Sequence, residues 1–297
     1  MALFLISLLH QELLLGGKTS NDIFIMISAW FLADRKCEGF VDKSVVKLFI
    51  KTTIFSIGGY GVYCLFIGKF DFGSFITSVQ WVNSSYGFIV VYLFLFLLYP
   101  LLNKLISCAQ ERILQRICLI GLVFITLFRG PYNTYFTFIF IYLMISYIKK
   151  YKFTYIKKEL CVYSFVVCSI VIKLIQVVCQ LYFPSGMTSM LDEECDILVL
   201  INALSVFIFV AKSEPFYNNI VNFIAKGMIT VYLIHENSWL RFYIWSFFRC
   251  EAFYDSNYMI IHNIFCSCVI MILGVIIGFV YDIVEYSIIK KISEKIK

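Results

Sequence analysis

The chain has 297 residues, of which 61% are hydrophobic and 15% charged, and it carries a net charge of +6. Its mean hydropathy of +0.86 lies far from that of soluble globular domains and excludes a water-soluble enzyme. The basic excess does not point to nucleic acid either, because most of the cations sit in the connections between apolar runs, where membrane topology accounts for them.

Those runs fall at 1–16, 22–34, 46–68, 85–107, 112–129, 132–148, 160–183, 196–211, 226–248 and 258–290. A membrane-crossing helix needs about 20 mostly apolar residues, and only helices and closed barrels satisfy every backbone hydrogen bond in lipid. Continuous apolar runs exclude a barrel. The sequence therefore predicts an all-α polytopic integral membrane protein with about ten transmembrane helices in a single domain, 1–297, although the first two runs are short for full crossings. The first run lacks a basic flank and a small-residue cleavage site, so a removed signal peptide is not expected.

Orientation follows from the lysines and arginines, which accumulate in cytoplasmic connections. Arg35, Lys36, Lys43, Lys47 and Lys51 flank the second and third runs; Lys104, Arg112 and Arg116 separate the fourth and fifth; Lys149, Lys150, Lys152, Lys157 and Lys158 separate the sixth and seventh. Lys212 and Lys226 flank the next such connection, and Lys290, Lys291, Lys295 and Lys297 form the tail, whereas 184–196 holds Asp192, Glu193, Glu194 and Asp196 with no cation. Both termini are expected on the cytoplasmic side of a multi-pass protein of the cell membrane, the inner membrane in a bacterium.

The ninth run carries His235, Glu236, Asn237, Arg241 and Trp245 inside a stretch apolar enough to cross lipid. Ionisable groups at that depth cost roughly 2.5 to 3.5 kcal/mol each on insertion scales and mark a functional site by default. The alternative is a polar network joining this helix to its neighbours. In the seventh run Lys173 forms a second polar stripe with Gln176 and Gln180, either lining a path for substrate or snorkelling to an interface. The eleven cysteines form no Cys-x-x-Cys pair and read as small buried hydrophobes. His10, His235 and His262 lie on three different runs, so no metal site is expected.

Several segments, taken in order, resemble the membrane acyltransferase 3 family, whose members often O-acetylate sugars of surface polysaccharides. Val231-Tyr-Leu-Ile-His-Glu-Asn237 is similar to the family's late-helix motif, and His10 matches its first-helix histidine. The stretch 22–32 resembles its second-helix pattern, followed by basic residues; 85–92 through Pro100 and Asn103 resembles an aromatic helix ending in proline and asparagine. Two departures stand out. The arginine that the family places eleven residues before the histidine would fall ahead of Met1, and the tryptophan of the aromatic pattern is replaced by Gly87, leaving Tyr86 and Phe88 as the stacking surface.

The resemblance implies an acyl-CoA donor, expected to be acetyl-CoA, and a carbohydrate acceptor. Acyl transfer to a hydroxyl needs a base for the hydroxyl proton, and histidine, with an ordinary pKa of about 6.5, suits that task. His10, beside Gln11 and Glu12 at the end of its run, is the expected base; the alternative is a helix-end histidine touching water. His235 then orients substrate or stabilises the developing oxyanion, with Glu236, Asn237, Arg241, Trp245, Tyr86 and Lys173 as expected substrate contacts. Asn237 and Arg241, four apart on one helix, are expected to share a face. Arg35 and Lys36 are candidates for gripping the phosphates of coenzyme A, although positive-inside topology also explains them. A rival class is a transporter or flippase of lipid-linked sugars, which buries polar residues along a pathway and needs no coenzyme A.

Overall fold

The computed structural model describes residues 17–35, 42–83, 86–127, 133–182, 196–253 and 256–296, and every regular element among them is helical. In chain order the α-helices are α1 (Gly17–Leu32), α2 (Lys43–Ile67), α3 (Phe72–Val79), α4 (Gly87–Cys108), α5 (Glu111–Leu127), α6 (Asn133–Tyr147), α7 (Lys158–Tyr182), α8 (Ile197–Ala211), α9 (Asn219–His235), α10 (Arg241–Phe248) and α11 (Met259–Ile296). His10 and Lys36 lie outside the described residues.

The core forms around α6, which is apolar on every face. Phe138, Ile141, Tyr142 and Ile145 have no exposed surface, and the helix packs on α1, α4 and α5. A helix hydrophobic all round belongs inside a bundle. The elements around it bury one stripe and turn the other outward, so Leu65, Phe66, Leu119 and Val167 stand exposed as surface that lipid can cover.

Polar side chains knit one end of the bundle together. Asp42 caps α2 by accepting from the Ser44 N–H at 2.9 Å, accepts from the Tyr99 hydroxyl at 3.1 Å and pairs with Arg35 at 3.0 Å. Asn103 of α4 donates to the Leu32 carbonyl at 2.8 Å and accepts from the Tyr142 hydroxyl at 2.7 Å, which satisfies one of the open carbonyls at the end of α1. Lys149 pairs with Asp34, Lys152 with Glu111 at 2.8 Å and Lys47 with Glu285 at 2.9 Å. The lysine-rich connections thus gather at one end of the molecule.

Away from that end the chain departs from its expected course twice. The connection 69–84 is not plain loop, because it contains α3 and folds back onto α2. Gly68 takes a left-handed φ of 70°, Asp71 caps α3 by accepting from the Ser74 N–H, and the Tyr60 hydroxyl both donates to the Asp71 carbonyl at 2.6 Å and accepts from its N–H at 2.8 Å. The run 226–248 is not one helix: α9 stops at His235 and α10 starts at Arg241.

Three helices among the described residues are long and apolar enough to cross a membrane: Lys43–Ile67, Gly87–Cys108 and, within α11, Ile261–Ser287. That corrects the expectation of ten such helices. α1, α5, α8 and α9 have only 15 to 17 residues each, short of the roughly 20 that a full crossing takes, and α6 continues past Tyr147 only as the lysine-rich π-helical segment Ile148–Lys152. Run 196–211 is itself too short, and run 226–248 is divided by the turn between α9 and α10.

α9 and α11 approach so closely that their glycines are structural. A Cβ on Gly227 would lie 2.8 Å from the Val275 Cα, one on Gly274 would lie 2.8 Å from the Val231 Cα, and one on Gly278 would lie 2.8 Å from Thr230 Oγ1. Between helices in lipid, where burial in water supplies no drive, such backbone proximity is the main source of attraction.

Candidate functional site

The break between α9 and α10 is made by Asn237. Its Oδ1 accepts from the Trp239 N–H at 3.1 Å, the local turn that asparagine side chains favour. Its carbonyl accepts from the N–H groups of Leu240 at 3.1 Å and Arg241 at 2.8 Å, which starts α10. Its Nδ2 points inward, donating to the Phe55 carbonyl of α2 at 3.1 Å and to the Tyr86 hydroxyl at 2.7 Å. Tyr86 passes the chain on, donating to the Leu233 carbonyl at 2.8 Å. The amide can reach α2 only because residue 59 is glycine: a Cβ there would fall 2.5 Å from Asn237 Oδ1 and 2.6 Å from its Cγ.

Tyr86 is held in an unusual backbone conformation to serve this network. Its φ is +54°, a left-handed setting costly for a bulky residue by about 1–3 kcal/mol, and only 4% of it is exposed. Ring contacts hold it from two sides, with Trp81 at 6.1 Å and Tyr232 at 6.3 Å between centroids.

Around this fixed point stand the ionisable groups. His235 is buried, and its Nδ1 lies 2.8 Å from the Val231 carbonyl. A carbonyl can only accept, so Nδ1 carries the proton and Nε2, itself buried, is the unprotonated nitrogen of this tautomer. Nε2 faces the Glu236 carboxylate at 3.6 Å, and the other Glu236 oxygen pairs with Arg241 at 3.1 Å. Tyr232 sets its ring edge-on to the imidazole at 5.8 Å. An imidazole with one nitrogen committed and the other beside an oriented carboxylate can take up a proton and hand it on. Arg241, with 60% of its side chain exposed, presents positive charge at the rim for an anionic or carbonyl oxygen.

The structure therefore brings His235, Glu236, Asn237, Arg241 and Tyr86 together, yet not as expected for one helix. Asn237 and Arg241 do not share a helical face; Asn237 turns in and Arg241 turns out. The amide of Asn237 is occupied by protein partners on every side. Trp245 packs against the small apolar cluster of Val231, Ile270, Met271 and Val275 between α9 and α11. Lys173 stands exposed on α7, a helix that packs mainly on α8. Arg35 lies at the lysine-rich end beside Asp42, about 20 Å along α2 from Phe55 at 1.5 Å per residue. Gly59, Phe55 and Val231 were missed by reasoning from side-chain chemistry, because two act through backbone carbonyls and one through having no side chain. The readable signal was the polar succession His235-Glu-Asn-Ser238, a turn signal inside an apolar run.

A membrane protein that is helical throughout its described regular elements, with a relay at a helix break in which a buried histidine lies 3.6 Å from the carboxylate of a more exposed carboxylate–guanidinium pair, is a catalyst or carrier of polar substrates. Its sequence decides between them. The chain belongs to the acyltransferase 3 family, whose model, described as an acyltransferase domain, matches residues 2–280, and it is a membrane acyltransferase. No curated protein and no solved structure matches it.

Proposed function

We propose that this protein transfers an acetyl group from acetyl-CoA to a sugar hydroxyl of a surface polysaccharide or of its lipid-linked precursor. The observation that carries the reading is the family match over nearly the whole chain, supported by the relay around His235. In this reading a histidine base removes the hydroxyl proton as the oxygen attacks the thioester carbonyl. The C–O bond forms, the C–S bond breaks, and the departing thiolate takes the proton back from the base. His10 is the proposed base, by its match to the family's first-helix histidine. His235, oriented by Val231 and Glu236, accepts a hydrogen bond from the acceptor hydroxyl through its unprotonated Nε2, and Arg241 neutralises charge that develops on the acyl oxygen.

The lysine-rich end is assigned to the cytoplasm by the positive-inside rule, with both chain ends on that side and coenzyme A phosphates near Arg35 and Lys36. The His235 end then faces the opposite side of a cell membrane, the bacterial inner membrane. The shorter helices complete the bundle by tilting less and thinning the bilayer around them.

Membranes containing the wild-type chain, His10→Ala or His235→Ala are incubated with isotopically labelled acetyl-CoA and the polysaccharide fraction of the source cells. Label is expected in the polymer with wild type and lost with His10→Ala at normal membrane levels. Sugar movement across the membrane without covalent label and without need of coenzyme A is the opposite outcome and means transport.

A further inference from the structure

The turn that carries Glu236 also carries aromatic surface that the mechanism above does not use. Trp239, in the turn between α9 and α10, packs on Tyr60 with centroids 4.9 Å apart and on Tyr63 at 5.3 Å; Tyr63 in turn meets Tyr243 of α10 at 6.0 Å. The cluster is rigid from beneath. Tyr60 has its hydroxyl pinned on both sides by the backbone of Asp71, and the Trp239 N–H is tied to Asn237. Its upper side is open: Tyr243 is 42% exposed, and Tyr63 and Trp239 are each partly exposed. Glu236 and Arg241, paired with each other, stand in the same turn, and Trp239 is four residues from His235.

Rings that merely anchor a protein at a membrane interface need only reach the headgroups individually. Here they contact one another and share a rim with an ion pair that offers both hydrogen-bond acceptors and donors at no net charge. A hydrocarbon chain has no use for such a rim, and a nucleotide's phosphates would meet Glu236 as well as Arg241. A neutral pyranose fits both parts, because its C–H face lies on aromatic rings while its hydroxyls donate to a carboxylate and accept from a guanidinium. Binding sites of this kind are mostly apolar, with a few fixed polar groups that set orientation.

We infer that Tyr63, Trp239 and Tyr243, together with the Glu236–Arg241 pair, form the acceptor subsite, in which a sugar ring stacks on the aromatic rings with a hydroxyl directed toward His235. This rests on the sugar-acetylation reading above. Rings already fixed in place lose little freedom when a sugar binds.

The test uses the full chain in detergent micelles and, as probe, oligosaccharides released from the surface polysaccharide of the source cells and stripped of acetyl groups by mild base. Binding is followed by tryptophan fluorescence and independently by calorimetry, and transfer by label from acetyl-CoA. Wild type should bind saturably. Trp239→Ala should weaken binding and raise the acceptor's KM by roughly tenfold, equivalent to about 1.4 kcal/mol, with Trp239→Phe losing less. Tyr243→Ala, at the open rim where folding tolerates truncation, should lose part of the affinity. Absence of binding by wild type, or a Trp239→Ala and Tyr243→Ala pair with wild-type affinity and altered detergent stability only, would overturn the subsite and leave these rings as interface anchors. Binding without transfer keeps the subsite and rejects the acetylation reading; transfer with an unchanged acceptor KM in both variants keeps that reading and rejects the subsite.

Discussion

Asn237 donates a 2.7 Å hydrogen bond to the hydroxyl of Tyr86, joining the turn after α9 to the first residue before α4 across 151 positions of sequence. Tyr86 adopts its left-handed φ and loses its hydroxyl's freedom for the sake of that bond and the one to Leu233. The two residues hold His235 and Glu236 between them.

Removing either partner leaves a buried polar atom without its bond, at a cost of about 1–3 kcal/mol. Tyr86→Phe and Asn237→Ala are each expected to lower the unfolding midpoint in detergent and to cut acyl transfer. Because they share one bond, the double variant should lose less than the sum of the two, with a coupling of about 0.5–3 kcal/mol. Thermal unfolding of all four proteins measures it, and strict additivity would mean that the network does not act as a unit.

Gly59 and Gly58 make a paired comparison on one helix. A Cβ at residue 59 collides with the Asn237 amide, whereas a Cβ at residue 58 meets nothing within 4 Å. Gly58→Ala should be neutral or stabilising by up to roughly 1 kcal/mol, since alanine favours a helix. Gly59→Ala should expel Asn237 from α2, lowering both stability and transfer, and Asn237→Ala made in addition should recover part of the stability because the obstruction is gone. Thermal unfolding and transfer assays of the three variants check both statements.

Most helices were legible because hydropathy and length report them directly. The fourth, seventh and eighth runs, 85–107, 160–183 and 196–211, differ by two residues or fewer from Gly87–Cys108, Lys158–Tyr182 and Ile197–Ala211. The cluster His235-Glu236-Asn237-Arg241 was legible as a site because charge in an apolar stretch needs a reason. Its geometry was not. Hydropathy averages over Val231 to Trp245 and cannot register that one amide prefers the Phe55 carbonyl to its own helix. α3 was hidden for a similar reason, since its eight residues are too few for a run and are anchored from outside by Ser56 donating to the Ser78 carbonyl at 2.8 Å and by Trp81 donating to Thr53 at 2.9 Å.

Asp42 gives a dependence on pH with a definite sign. Burial pushes its carboxyl up, but hydrogen bonds from Ser44, then Tyr99, and the charge of Arg35 outweigh it and leave the carboxyl below its ordinary range. A carboxyl depressed in the folded state contributes stability that is fully present above the unfolded pKa of about 3.9 and is lost as pH falls through the lower folded value. Asparagine caps helices as well as aspartate does, so Asp42→Asn keeps the bond from Ser44 while removing the charge and the second oxygen, which accepts from Tyr99 and pairs with Arg35. The variant should be less stable than wild type at pH 6 by roughly 0.2–1 kcal/mol, the worth of a partly exposed ion pair, and the difference should shrink as the pH is taken from 5 towards 3. Unfolding midpoints across that range test it; a constant difference would exclude the linkage.

Packing at the α9–α11 contact reaches the relay through a single backbone group. A Cβ on Gly274 would press on the Val231 Cα at 2.8 Å, and the Val231 carbonyl is the acceptor that fixes His235 Nδ1. Gly274→Ala is expected to cost about 1–3 kcal/mol of stability, the usual penalty for overpacking, and also to lower kcat, because moving Val231 turns the imidazole away from Glu236. Gly227→Ala presses instead on Val275 of α11, at 2.8 Å from its Cα, and should cost similar stability with less effect on kcat. Gly61→Ala, with open space around its Cβ, is the control for alanine itself. Unfolding midpoints and kcat of the three variants separate the two effects: equal kcat losses in Gly274→Ala and Gly227→Ala would mean that α9–α11 packing acts on the site through global stability, and a loss confined to Gly274→Ala would trace it to the carbonyl that orients His235.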